Sequence, residues 1–129
     1  MLKLTALIAC LTLGACAGSP SGENLSTQSF DSAATALAKD PMFVLVDVRT
    51  PGEFATGHLK GAKLVDFKAP NFAEEIGKLP RDAKILLYCR SGHRSGLAME
   101  TMKGMGFQDV RHMTGGITAW KAEARPVAN

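Results

Sequence analysis

Ile85-Leu86-Leu87-Tyr88 is an unbroken apolar run that empties into Cys89-Arg90-Ser91-Gly92-His93-Arg94-Ser95. A short run of this kind, led in by Lys84 and closed by a polar loop, is the pattern of a strand buried on both faces, as in a parallel sheet. The loop puts a cysteine directly after the strand, with glycine and small serine next to it. From Ser95 onward, Leu97, Ala98, Met99, Met102 and Met105 keep helical spacing until Gly104 and Gly106 break it. Those methionines are expected to be core packing. In such a strand–loop–helix unit, successive backbone N–H groups can curl towards the cysteine sulfur while the helix N-terminus adds positive potential, giving a nest for an anion. Arg90, His93 and Arg94 strengthen it, so Cys89 is expected to be a stabilised thiolate and a nucleophile.

Outward from this unit the same alternation repeats. Met42 to Val46 is a second apolar run and ends at Asp47-Val48-Arg49; Lys63-Leu64-Val65 reads as a short strand and Asp109-Val110-Arg111-His112-Met113 as a final one. Between them, Ser29-Phe30-Asp31 starts a helix through Ala33, Ala34, Ala36, Leu37 and Ala38, which Asp40-Pro41 stops. Thr50-Pro51-Gly52-Glu53-Phe54 reads as a cap followed by proline at the first helical position, closed by Gly57. Phe72 to Ile76 is a short helix ended by Gly77, and Ile117, Ala119 and Trp120 belong to a last one after Gly115-Gly116. Strands alternating with helices imply an α/β domain with a largely parallel sheet, whose sites lie beyond the carboxyl ends of the strands. Cys89 stands at such an end.

Composition restricts the function classes. The chain has 129 residues, 46% hydrophobic and 21% charged, which favours one domain. Its net charge is only +3 with the basic residues scattered, so the electrostatic footprint of a nucleic-acid binder is missing, while a small anionic substrate fits. A metal site from Cys89, His58, His93 and His112 would need ligand pairs that the spacing does not show. No cofactor is expected.

The first residues differ in kind from the rest. Met1-Leu2-Lys3 supplies a positive charge, Leu4 to Leu13 is an almost uninterrupted apolar run, and Gly14-Ala15 are small residues before Cys16. That is the layout of a secretory signal peptide, too short for a membrane span of about 20 apolar residues. Leu13-Gly14-Ala15-Cys16 resembles a bacterial lipobox, and Cys10 after Leu7-Ile8-Ala9 imitates it behind a shorter apolar run. The resemblance implies lipidation at Cys16 and a lipid-anchored protein on the periplasmic side of a bacterial envelope, with Ala17 leaning towards the outer membrane. The expected organisation is 1–15 signal peptide, 16–27 flexible tether, and 28–126 folded domain. With Cys16 lipidated, Cys89 is the sole free thiol of the mature chain, and a lone cysteine in an oxidising compartment is flagged as reactive.

Four stretches, in order, resemble the single-domain rhodaneses: Asp47-Val48-Arg49, Gly57-His58-Leu59-Lys60-Gly61-Ala62, Cys89-Arg90-Ser91-Gly92-His93-Arg94-Ser95, and Gly115-Gly116-Ile117 followed by Trp120. The resemblance extends to small envelope rhodaneses, including the periplasmic phage-shock type. The resemblance implies a rhodanese-like fold, a central and largely parallel five-stranded sheet with helices on both faces, and sulfur transfer through a persulfide. Cys89 would be the nucleophile, and the amides from Arg90 to Ser95 would hold the persulfide and the donor's charge. Arg90 and His93 would attract the anionic donor or acceptor. Arg94 would brace the loop, with Asp47 and Arg49 supporting it. The partners implied are a small anionic sulfur donor such as thiosulfate and a thiol or cyanide acceptor, including a thioredoxin-like protein. No nucleic acid is implied, and a monomer is expected.

His58 and His112 are read as structural. Two rival readings stay open. A phosphatase or arsenate reductase of the same fold would also use a cysteine in an anion nest, but relatives of that kind place five residues between cysteine and arginine, and Cys89 and Arg94 have four. A non-catalytic binding or sulfur-carrier module is the other; such modules usually lose the cysteine.

Overall fold

The computed structural model describes residues 22–129. Its elements follow in the order β1 (Glu23–Leu25), α1 (Thr27–Leu37), β2 (Phe43–Asp47), α2 (Pro51–Ala55), β3 (Lys63–Leu64), α3 (Phe72–Ile76), β4 (Lys84–Tyr88), α4 (His93–Gly104), β5 (Asp109–Met113) and α5 (Gly116–Ala122). The five strands form one sheet in the order β1-β5-β4-β2-β3, every pairing parallel.

Strand alternation divides the interior into two cores. Ile85 and Leu87 face one side, with Val46, Val110, Ile76, Ala98, Met99 and Met102. Leu86 and Tyr88 face the other, with Leu45, Met113, Phe30, Ile117 and Trp120. Successive strand residues point to opposite faces, so a strand apolar at every position must be covered on both sides. Helices α3 and α4 cover the first face, α1 and α5 the second. The expected rhodanese-like α/β fold is therefore present, and Met99 and Met102 are core residues.

The expected tether is corrected at its C-terminal end. Residues 23–25 form β1, pairing Glu23 with Arg111, Asn24 with His112 and Leu25 with Met113. Helix α1 begins at Thr27, not near Ser29, with Ser26 as N-cap accepting from the Ser29 amide at 3.1 Å. Three residues with one apolar member carry no readable period; β1 exists because β5 offers a free edge. The folded domain also runs past residue 126, since the His58 amide donates to the Ala128 carbonyl at 2.9 Å and the Ala128 amide returns the bond at 2.7 Å. The expected signal peptide and residues 16–21 of the tether, Cys16 included, lie outside the described residues.

Candidate functional site

Helix α5, far along the chain, shapes the Cys89 loop. A helix N-terminus leaves its first amides without intrahelical partners. In α5 the Ile117 amide donates to the Cys89 carbonyl at 2.9 Å, and the Thr118 amide to the Arg90 carbonyl at 3.1 Å. With these carbonyls held on the α5 side, following N–H groups are free to turn towards the sulfur. The Gly92 amide donates to Cys89 Sγ at 3.1 Å, while the Ser95 hydroxyl donates to the Gly92 carbonyl at 3.3 Å and lies 2.9 Å from His112 Nδ1. Burial by itself would push the thiol up; the polar neighbours, the Ser95 hydroxyl first and then the amides of Ser95, Ser91 and Gly92, outweigh it and hold Cys89 below the ordinary thiol range. Of the amides from Arg90 to Ser95 expected to curl towards the sulfur, that of Gly92 is hydrogen-bonded to it.

Two glycines permit this packing. Gly92 has φ +95°, and a Cβ there would lie 2.0 Å from the Thr114 carbonyl oxygen. Gly116 has φ +63°, and a Cβ there would lie 2.2 Å from the Arg90 carbonyl oxygen. Backbone meets backbone at both points, and only glycine combines positive φ with that approach.

A charged bracket holds the start of α4. Arg94 Nη1 and Nη2 donate to Glu53 Oε1 and Oε2 at 2.8 and 2.9 Å, a two-point carboxylate clamp. Glu53 also closes the capping box of α2 with Thr50. The Arg94 guanidinium, with smaller help from Thr50, brings the Glu53 carboxyl down to about 2, against the burial that opposes it. Arg94 thus braces the loop, and the carboxylate that receives it is one the sequence had shown only as a capping residue.

Beneath the bracket, Asp47 and Arg49 form a fully buried pair, Nη2 to Oδ2 at 2.7 Å. Arg49 Nη2 also donates to the Gly57 carbonyl at 2.7 Å, and the guanidinium lies 5.7 Å from the centre of the Tyr88 ring. The Tyr88 hydroxyl accepts from the Leu59 amide at 3.0 Å. This network ties the end of β2 and the Gly57–Gly61 turn to β4, the strand that presents Cys89.

A cleft of about 510 Å³ opens above, walled by Arg49, Glu53, Thr56, Arg90, Thr118 and Lys121. That suffices for a small anion. Arg90 faces it as expected. His93 is exposed in the first turn of α4 and stands outside the cleft wall. His58 stacks on Phe54 at 3.8 Å and its Nδ1 meets the Phe54 carbonyl at 3.1 Å, a structural placement. Sequence reasoning missed Glu53, Lys121 and His112. The last is the least expected: it is buried, with Nδ1 2.9 Å from the Ser95 hydroxyl. Among the described residues, no group of three His, Cys, Asp or Glu side chains is arranged to hold a metal ion.

The family model of the rhodanese-like domain matches residues 29–123. The thiosulfate sulfurtransferase GlpE of Pseudomonas putida is 37% identical over 89 residues, covering 69% of this chain and 79% of its own. A Mycobacterium tuberculosis protein described as a probable adenylyltransferase/sulfurtransferase, MoeZ, is 42% identical over 82 residues, covering 64% of this chain; the match spans only 21% of that longer protein. The solution structure of the polysulfide-sulfur transferase homodimer from Wolinella succinogenes superposes with a TM-score of 0.67 at 25% identity, over 84% of this chain and 79% of that one.

Proposed function

Since the chain belongs to the rhodanese-like family, we propose that it is a sulfurtransferase in which Cys89 carries a sulfane sulfur between an anionic donor and a thiophilic acceptor. The observation that carries this reading is Cys89 Sγ at the start of α4, accepting from the Gly92 amide at 3.1 Å with its thiol held below the ordinary range by the neighbouring Ser95, Ser91 and Gly92 donors. Such a cradle suits a thiolate, and equally the terminal sulfur of a persulfide anion.

With thiosulfate as donor, the Cys89 thiolate attacks the outer sulfur. A Cys89–sulfur bond forms, the bond to the sulfonate sulfur breaks, and sulfite leaves with the electron pair. The persulfide keeps one negative charge, so charge balances. In the second half, cyanide or an acceptor thiolate attacks the terminal sulfur and the Cys89 thiolate departs. Two displacements on one residue imply ping-pong kinetics. Arg90 draws the donor in, the loop amides hold the persulfide, and Arg94 acts through Glu53 to keep the loop in place.

The test is intact-mass spectrometry of the purified chain after incubation with thiosulfate, then with a thiol. A gain of one sulfur atom, reversed by the thiol and absent in Cys89→Ser, is the expected result. No gain from thiosulfate or from polysulfide overturns the reading. The phosphatase reading is disfavoured by the four residues between Cys89 and Arg94, and hydrolysis of a phenyl phosphate with no sulfur loading would restore it.

The lipid anchor at Cys16 belongs to the same proposal and rests on Leu13-Gly14-Ala15-Cys16 behind its apolar run. Cys16→Ala should release the protein from membranes; a variant that still sediments with them removes the anchor from the account.

A further inference from the structure

Strand β3 is two residues long and pairs with β2 at Val46 and Asp47 alone. Earlier in β2, Phe43, Val44 and Leu45 face Lys84, Ile85 and Leu86 of β4 on one side and meet no strand on the other. An edge left open in this way offers its main-chain groups to a further strand. Their direction follows from the bonds at either end. The Met42 carbonyl accepts from the Lys84 amide at 2.8 Å, towards β4, and the Asp47 carbonyl accepts from the Val65 amide at 2.9 Å, towards β3. Main-chain groups of a strand alternate sides residue by residue, so the Leu45 amide and the Phe43 carbonyl point to the open edge.

That edge lies in a groove of about 480 Å³, walled by Ala34 and Ala38 of α1 on one side and by Lys60 and Lys63 on the other. Phe43 and Leu45 reach it from the sheet face that α1 covers, and Val44 from the opposite face. The groove therefore opens on the edge of the sheet rather than on either face. Its three strand residues match roughly 10 Å of extended chain. Lys60 and Lys63 are exposed, and no acidic side chain lines the groove. Among the described residues neither lysine joins an ion pair, and Asp40, just before β2, is taken by Lys84.

We propose that this edge docks an extended acidic segment of a partner protein, which adds a short strand beside residues 43–45, in line with β3, and sets its carboxylates against Lys60 and Lys63. Strand addition takes affinity from main-chain bonds and specificity from the side chains around them. Here the apolar floor accepts small apolar side chains, and the two lysines select for negative charge. An anionic amphiphile would use the floor and the lysines but leave the Leu45 amide and the Phe43 carbonyl unmatched, which favours a peptide. Residues 43–45 are level with 84–86, the end of β4 remote from Cys89, and the groove shares no lining residue with the cleft beside Cys89. A partner held at this edge leaves that cleft open.

The test is a titration of the full chain, labelled with nitrogen-15, by an acetylated and amidated Glu-Val-Glu-Val-Glu peptide, read on backbone amide resonances. The amides of Val44, Leu45, Lys60 and Lys63 should shift, with the Leu45 amide also slowed in hydrogen exchange. Lys60→Ser and Lys63→Ser, both at exposed positions, should each weaken binding about two- to fivefold. The same peptide N-methylated at every residue, which keeps the charge and removes the donors, should bind about tenfold more weakly. A Lys-Val-Lys-Val-Lys peptide should not bind. Absence of shifts at these amides, equal binding of the lysine peptide, or undiminished binding of the N-methylated one overturns the proposal. So does decanoate moving these amides where the acidic peptide does not, which would give the groove to an amphiphile. Cys89→Ser should bind the peptide as the wild type does, so the outcome is independent of whether the chain loads sulfur.

Discussion

Glu53 and Arg94, 41 residues apart in sequence, meet in a two-point ion pair that ties the first turn of α2 to the first turn of α4. The carboxyl titrates near 2 in the folded chain, below its ordinary 4.5. A depressed carboxylate stabilises the fold above its unfolded pKa and loses that contribution as pH falls through the folded value. The window is therefore from about pH 5 down to about pH 2.

Glu53→Gln should flatten the fall of melting temperature with pH in that window, and cost about 1–2 kcal/mol at pH 7 once partial exposure of the pair is allowed for. Thermal melts of both proteins at pH 7, 4 and 3 check it; parallel curves would mean that the bracket contributes nothing to stability. The loop should also loosen, so sulfur loading of Cys89 should slow in the variant at neutral pH.

Gly116→Ala and Gly52→Ala should act in opposite directions. At Gly116, φ is +63° and a Cβ would sit 2.2 Å from the Arg90 carbonyl oxygen. Left-handed backbone alone costs about 1–2 kcal/mol for alanine, and the clash pushes apart the loops that aim the nest. At Gly52 within α2, nothing lies within 4 Å of the added Cβ, so alanine should stabilise by roughly 0.5–1 kcal/mol. Urea midpoints distinguish the two, and equal effects would contradict the backbone argument.

Asp47→Asn leaves the Arg49 guanidinium at 2% exposure without its countercharge. Removing one partner of a buried pair costs about 3–5 kcal/mol, more than the pair itself contributes. Adding Arg49→Met to Asp47→Asn should therefore recover part of the loss, measured by urea denaturation. No recovery would mean that the Arg49 bond to Gly57, rather than the charge balance, holds this corner.

Arg90 and Lys121 both wall the cleft and are exposed. Under the proposed function, Arg90→Ala and Lys121→Ala should each raise KM for thiosulfate severalfold while kcat changes little, because exposed charges attract an anion without joining the bond exchange. Wild-type kcat/KM should fall with added salt, and the double variant should be nearly indifferent to it. Unchanged KM in both would assign donor capture to the loop amides alone.

The strands and the Cys89 loop were legible because their signals are local. Lys84 to Tyr88 and Asp109 to Met113 match their strands, and a strand covered on both faces shows its apolar run whatever covers it. Cys89, Gly92 and Ser95 were legible for the same reason, since loop, glycine and helix start lie within seven consecutive residues. Strand β1 was not: its sequence, Glu23-Asn24-Leu25, has no period, and its hydrogen bonds go to a strand some 88 residues later. Nor were the partners of the site. That Arg94 needed a carboxylate could be expected, but nothing near either residue says that Glu53 supplies it. Nothing local to His112 says that the sheet and α4 bring it to Ser95. Residue type sets what a side chain can do, and that is written in the chain; which distant side chain it faces depends on strand order and helix placement, which only the packed fold decides.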